Sequence, residues 1–293
     1  MAPSGVAEPG WLVDLAPVVP RPELVAHAPI VVGDRVIVAG SRVDYRGLDL
    51  ATGAEAWHRP GGASLAAPLA LALRDVVLVH DCDVAVAAPD GHGVLACFDR
   101  IDPIAVAARS AGRIAAPMGE LGDCAATGGA WMLSGTDAAS LILARNACRF
   151  SLALGEGRAR RIADAPASPP QPDDVVAHDG DASWRQVIEG GQSFLARDHG
   201  PRVPGLTVLA AARAPGHDAG AVVVRADSTL RSDVLAAYDG TTVVWTWALP
   251  PPPDPAGRGG PVAVTATDRD ILVFFDAARV ARFTAPWAPA TAR

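Results

Sequence analysis

The stretch from Ala28 to Trp57, APIVVGDRVIVAGSRVDYRGLDLATGAEAW, decides the fold. Its first half sets aliphatic and β-branched residues on both sides of Gly33-Asp34, the turn chemistry of a tight β-hairpin. Its second half is an apolar strand that stops at Asp49, a Thr52-Gly53 turn and a further run ending at Trp57. Apolar side chains recur here with the short period of strands, not with the 3.6-residue stripe of a helix.

The same pattern recurs along the chain. APLALALRDVVLVH turns at Arg74-Asp75, AATGGAWML at Gly128-Gly129 and VVAHDGDASWRQVI around Gly180. VLAAARAPGHDAGAVVVRA turns around Asp218 and VAVTATDRDILVFF around Arg269. After each hairpin comes an apolar strand with a small residue before a polar stop, at Asp49, Asp99, Asn146, Asp198, Asp239 and Thr284. The intervals between stops are 50, 47, 52, 41 and 45 residues. A four-stranded unit repeated every ~40–50 residues is the mark of a propeller blade. The expectation is an all-β chain, a single β-propeller domain over 1–293, with six four-stranded blades and seven as the alternative. The blades fall near 24–60, 64–110, 112–163, 173–204, 205–249 and 261–287.

YRGLDLATGAEAW, from Tyr45 to Trp57, resembles the repeat of pyrroloquinoline-quinone-type (PQQ-like) propellers, roughly ALDxxTGxxxW. Gly47 stands for the usual Ala, while Leu48, Asp49, Thr52, Gly53 and Trp57 fit the pattern. The resemblance implies that Gly47, Gly53 and Trp57 dock one blade on the next. LAAYDGTTVVWTW, from Leu235 to Trp247, is a degraded second copy with Val243 in the glycine position and Trp247 as its docking residue. In the enzymes of that family the cofactor site resembles a Ca²⁺–quinone clamp with a vicinal cysteine pair and a catalytic Asp. This chain has no adjacent cysteines, so no cofactor is expected. The last blade is short of a strand, which EPGWLVDLAP can supply: residues 9–17 form the closing strand, with Trp11 as docking residue, and remove an exposed sheet edge. Trp287 competes for that place, but Pro286 and Pro289 make a poor strand.

Of 293 residues, 50% are hydrophobic, 19% charged and 5% aromatic, ample for a buried core. All 25 cations are Arg and Asn occurs once, the usage of a high-GC bacterial genome. A net charge of −7 argues against a nucleic-acid partner. The first residues, MAPSGVAEPGWLVDL, have no basic start and no apolar signal core, and no stretch has membrane-spanning length. A soluble cytoplasmic protein without a membrane partner is expected. Cys82, Cys97, Cys124 and Cys148 form no CxxC pair and are read as reduced, buried cysteines.

Reactive constellations are sparse. His80-Asp81, Asp90-Gly-His92, His178-Asp179, Asp198-His199 and His217-Asp218 fall in different blades and read as turn residues. The densest group is His80, Asp81, Cys82, Asp83, Asp90 and His92, the one local cluster worth testing for metal, although no metal is expected. There is no G-x-S-x-G, P-loop or dinucleotide fingerprint, so no catalytic residue is named and no enzyme is expected. GRARRIA, with Arg158, Arg160 and Arg161, reads as a solvated connection in preference to an anion patch.

The functional expectation is a non-catalytic platform for protein partners or a subunit of a larger assembly. Its alternatives are an enzyme or small-ligand or metal binder using a central channel, and an envelope assembly scaffold should the protein be exported. Strand connectivity puts the long connections at 81–93, 164–173 and 249–260 on one face, so the expected partner rim is Asp81, Asp90, His92, Asp254 and Arg258.

Overall fold

The structure, a computed structural model, describes residues 5–15, 25–61, 66–71, 75–80, 82, 92–105, 107–117, 120, 132–134, 141–145, 148–155, 157–162, 175–179, 182–227, 232–251 and 260–289. They form 24 strands and no named helix. Cα packing divides the chain into two compact units, one of residues 17–167 and one of 1–16 with 168–293, where the sequence suggests a single domain.

In the first unit, β2 (Ile30–Val32), β3 (Arg35–Gly40), β4 (Asp44–Asp49) and β5 (Glu55–Arg59) make one antiparallel meander. Gly33 turns β2 into β3 with φ +62°, a conformation open to glycine at little cost. A second meander holds β6 (Leu69–Ala70), β7 (Val76–His80), β8 (His92–Asp102) and β9 (Ala107–Pro117). A third holds β10 (Met132–Ser134), β11 (Leu141–Arg145), β12 (Cys148–Ala153) and β13 (Arg158–Ile162), and β13 meets β9 through one parallel bridge, Arg158 opposite Ala115. The second and third meanders share a core in which Val77, Val79, Phe98 and Ile114 pack with Leu141, Leu143, Phe150 and Leu152.

The second unit repeats the plan. Its meanders are β14 (Val175–Asp179), β15 (Ala182–Glu189), β16 (Gln192–Arg197) and β17 (Arg202–Pro204), then β18 (Thr207–Arg213), β19 (Ala219–Asp227), β20 (Ser232–Asp239) and β21 (Thr242–Ala248). The last has β22 (Val262–Ala266), β23 (Asp270–Phe275) and β24 (Arg279–Thr284), with β1 (Trp11–Asp14) as its outer strand. Trp11 lies opposite Arg282 and Asp14 opposite Arg279, and Gly10 N–H and Leu15 N–H extend the ladder to the Arg282 and Ala278 carbonyls. Just upstream, Ala7 N–H donates to the Thr246 carbonyl and Thr246 N–H to the Gly5 carbonyl. One N-terminal segment therefore lies along β21 of one sheet and completes the next. Trp287 is no strand; its indole N–H donates to the Thr267 carbonyl.

Six four-stranded antiparallel units are thus present among the described residues. The second runs to Pro117, beyond the expected 110, because β8 and β9 are both 11 residues long. In the third, the stop at Asn146 follows the second strand, β11, not the third. GRARRIA is strand β13 and not a connection. The turn expected at Gly128-Gly129 lies outside the described residues.

The reduced-cysteine expectation is overturned. Cys82 and Cys97 form a disulfide, and Cys148 is disulfide-bonded too. The pair had no spacing signature because the β7–β8 register makes it: His80 lies opposite Cys97, so Cys82, just past the end of β7, comes to the same rungs. A link closing 15 residues restricts the unfolded chain. Replacing Cys82 and Cys97 together by Ala should therefore cost about 3 kcal/mol in urea unfolding. An unchanged midpoint would show that the β7–β8 pairing alone holds this corner.

Candidate functional site

The Thr-Gly turn of the first meander is held by Asp49. Its Oδ1 accepts from the Thr52 hydroxyl at 2.8 Å, the Thr52 N–H at 2.9 Å and the Ala51 N–H at 3.1 Å. The Thr52 hydroxyl, then its N–H, hold the Asp49 carboxyl below the usual carboxylate range. Gly53 has φ +73° and lets the chain reverse into β5. There Trp57 folds its indole over Gly47, whose added Cβ would lie 2.1 Å from the ring. The indole N–H reaches the Pro103 carbonyl of the second meander at 3.0 Å. Tyr45 crosses the same seam, donating to the Val79 carbonyl and accepting from Ala66 N–H. Gly47 and Trp57 thus join the first sheet to the second, with Val76, Leu78 and Ile101 in the seam.

The degraded copy has a shorter turn, so Trp245, not Trp247, lies opposite Ala237, the counterpart of Gly47, and meets Phe283 at 5.2 Å between ring centroids. Gly240, at φ +55°, starts the β20–β21 turn in place of a glycine at Val243. Trp247, the expected docking residue, meets Phe275 at 5.9 Å and Phe283 at 5.0 Å between ring centroids, so both tryptophans join the β18–β21 sheet to the β22–β24 sheet.

Of the expected partner rim, Asp81, Asp90, Asp254 and Arg258 lie outside the described residues. His92 opens β8. The connection 164–173 also lies outside them. What is described is where two of the long connections leave the sheets. At the loop 249–260, Arg279 donates to the Pro250 and Pro251 carbonyls, both at 2.9 Å. Asp276, ion-paired with Arg279, accepts from Gly260 N–H at 3.4 Å. The guanidinium of Arg279 also stacks on Phe275, 4.7 Å from its centroid. Asp276 and Ala277 both have positive φ, 54° and 56°, so the β23–β24 turn aims both groups at the two ends of the loop. Sequence reasoning missed this clamp, although an Asp-Ala-Ala-Arg hairpin turn beside a proline run was its one visible signal. At 81–93, the Cys82–Cys97 disulfide and the His80–Asp99 contact at 3.6 Å mark the stem.

The disulfide occupies the thiol of the His80–His92 cluster, so Cys82 is no metal ligand in this state. The described residues hold no group of three or more His, Cys, Asp or Glu placed for a metal ion. His178 Nδ1 lies 3.3 Å from the Ser183 hydroxyl. Asp198, however, accepts from Ser183 N–H and pairs with Arg185, and neither bond would orient that imidazole.

No family model and no curated protein matches the chain. Among solved structures it is similar to BamB from Moraxella catarrhalis, at 14% identity and TM-score 0.30, covering 87% of this chain and 68% of that one. It is also similar to the Cps50 (Swd1) beta-propeller domain of Myceliophteria thermophila, at 10% identity and TM-score 0.45, covering 89% and 98%. A third is the C-terminal WD40 domain of Sif2, at 8% identity and TM-score 0.32, covering 89% and 81%.

Proposed function

We propose that the chain is a β-propeller of PQQ-like blades that serves as a non-catalytic docking platform for protein partners. The observation that carries this reading is the fixed stem of the 249–260 loop. Arg279 and Asp276 hold its two ends on one hairpin turn, and its prolines restrict the chain between them. A loop restricted in this way loses less conformational entropy when a partner orders it. The rim residues of this surface are Asp254 and Arg258, with Asp81, Asp90 and His92 on the second stemmed loop.

Disulfides persist in oxidising compartments and are rare in reducing ones. The cytoplasmic expectation therefore gives way, in this proposal, to an oxidising compartment, which favours the envelope-scaffold version of the platform over an intracellular one.

The test is affinity capture from the native host with the whole protein and with a variant whose Pro250–Pro255 is replaced by Gly-Ser. One defined partner should be captured by the first and lost by the second at equal thermal stability. Retention of every partner, after similar replacement in 83–91 and 164–173, would overturn the reading.

A further inference from the structure

The Cys82–Cys97 disulfide has polar neighbours on both strands that flank it. Cys97 sits in β8 between β7 and β9, directly opposite His80 on one side and Arg113 on the other. Side chains that stand opposite one another in antiparallel strands point to the same face, with Cβ atoms about 4.5–5.5 Å apart. His80, Cys97 and Arg113 therefore form one rung on one face of the second meander. Asp99, two residues along β8, shares that face and puts its Oδ2 3.6 Å from His80 Nε2. Cys82 lies just past the end of β7 and closes the bond from there.

Three properties of this rung favour exchange over a plain structural link. Cys82 and Cys97 are both half-buried, so the sulfurs are not sealed in an apolar core. Arg113 is exposed, is always charged and has no ion pair among the described residues. A fixed cation beside a cysteine stabilises its thiolate, and a stabilised thiolate leaves readily in thiol–disulfide exchange. His80 adds an imidazole that can carry a proton, with the Asp99 carboxylate beside it. Nor do the strands need the bond in order to stay paired. Five rungs join β7 to β8, from Val76 opposite Ile101 to His80 opposite Cys97.

We propose that Cys82–Cys97 is an exchangeable disulfide, opened and reclosed by a partner that carries two thiols. The partner's first thiolate attacks the Cys82 sulfur. The Cys82–Cys97 bond breaks, and its electron pair leaves on Cys97 as a thiolate beside Arg113. The partner's second thiol then attacks the partner's own sulfur in the mixed disulfide and frees Cys82, which takes the proton that this thiol gives up. The dithiol is oxidised to a disulfide, the cysteine pair is reduced, and Cys97 takes its proton from His80 or from water. Reclosure is the reverse. The inference goes beyond the docking reading and does not rest on it.

The test treats the oxidised full chain with dithiothreitol, quenches with iodoacetamide and reads each cysteine by peptide mass mapping. Cys82 and Cys97 should be labelled before Cys148, in a chain that keeps its strand circular-dichroism signal, and oxidised dithiothreitol should reclose them. Arg113→Gln should slow opening roughly fivefold, through the lost charge beside the leaving thiolate. Arg113→Lys should keep the original rate, as should Arg269→Gln, at an exposed arginine of the other unit. In Cys82→Ala, which leaves Cys97 free, iodoacetamide should label Cys97 faster than in the double variant Cys82→Ala, Arg113→Gln. That comparison holds whatever the variants do to the stability of the bond. Labelling of Cys148 as early as the pair, or opening of the pair only as the chain unfolds, would mean a plain structural link and overturn the proposal. An Arg113→Gln rate equal to the original would overturn it as well. So would equal slowing by Arg269→Gln, which would mean a diffuse effect of charge.

Discussion

A chain lacking residues 1–15 should melt early and aggregate. The deletion removes β1 from β24 and takes the Gly5–Ala7 segment off Thr246 of β21, so it bares the edges of two sheets at once. It also withdraws the buried Trp11. Removing a buried large aromatic side chain costs about 3–5 kcal/mol before any hydrogen bond is counted. Unpaired edges then offer a template to other copies. Size-exclusion chromatography and thermal unfolding read both effects. A synthetic peptide spanning residues 5–15, added during refolding, should restore a monomer. A truncated chain that stayed monomeric with an unchanged midpoint would show that β22–β24 needs no outer strand.

The second large effect concerns the seam between the first two sheets. Trp57→Ala should destabilise by about 3–5 kcal/mol in urea unfolding, since the indole is buried and its N–H would leave the Pro103 carbonyl unmatched. Gly47→Ala should be comparably harmful, because its new Cβ would need the space the ring occupies. The double variant should cost clearly less than the sum of the two, because once the indole is gone the new methyl has room. Additive losses would mean that Gly47 matters for its backbone and not for the ring above it.

That seam was legible in the sequence because everything it needs is local. Asp49, Thr52, Gly53 and Trp57 lie within nine residues, and each carries its own turn or packing chemistry. The outer strand at Trp11 was legible for another reason: β22 to β24 left one place in a four-stranded unit, and one isolated apolar stretch remained to fill it. The third meander was harder, because its second and third strands are joined by a turn so short that Arg145 pairs with Cys148. A stop at Asn146 therefore looked like the end of a unit. The Cys82–Cys97 disulfide and the Asp276–Arg279 clamp share one cause of invisibility. Each depends on which residues of different strands stand opposite each other, and register is set by the assembled sheets. Arg158 and Arg160 in GRARRIA look like any charged run until Ala159 between them is seen to face the core.

The pairing of β1 with β24 also imposes an order of events. Trp11 and Arg282, its partner, stand 271 residues apart along the chain, so the first is made well before the second. Until β24 has been made, the segment carrying Trp11 has no native sheet to join, and an aromatic strand is exposed meanwhile. Contacts of such separation come late and slowly, after the local hairpins have closed. Folding of the sheet that β1 completes therefore waits for β24, and the interval before it is the period in which holding factors or mispairing with other chains have their chance.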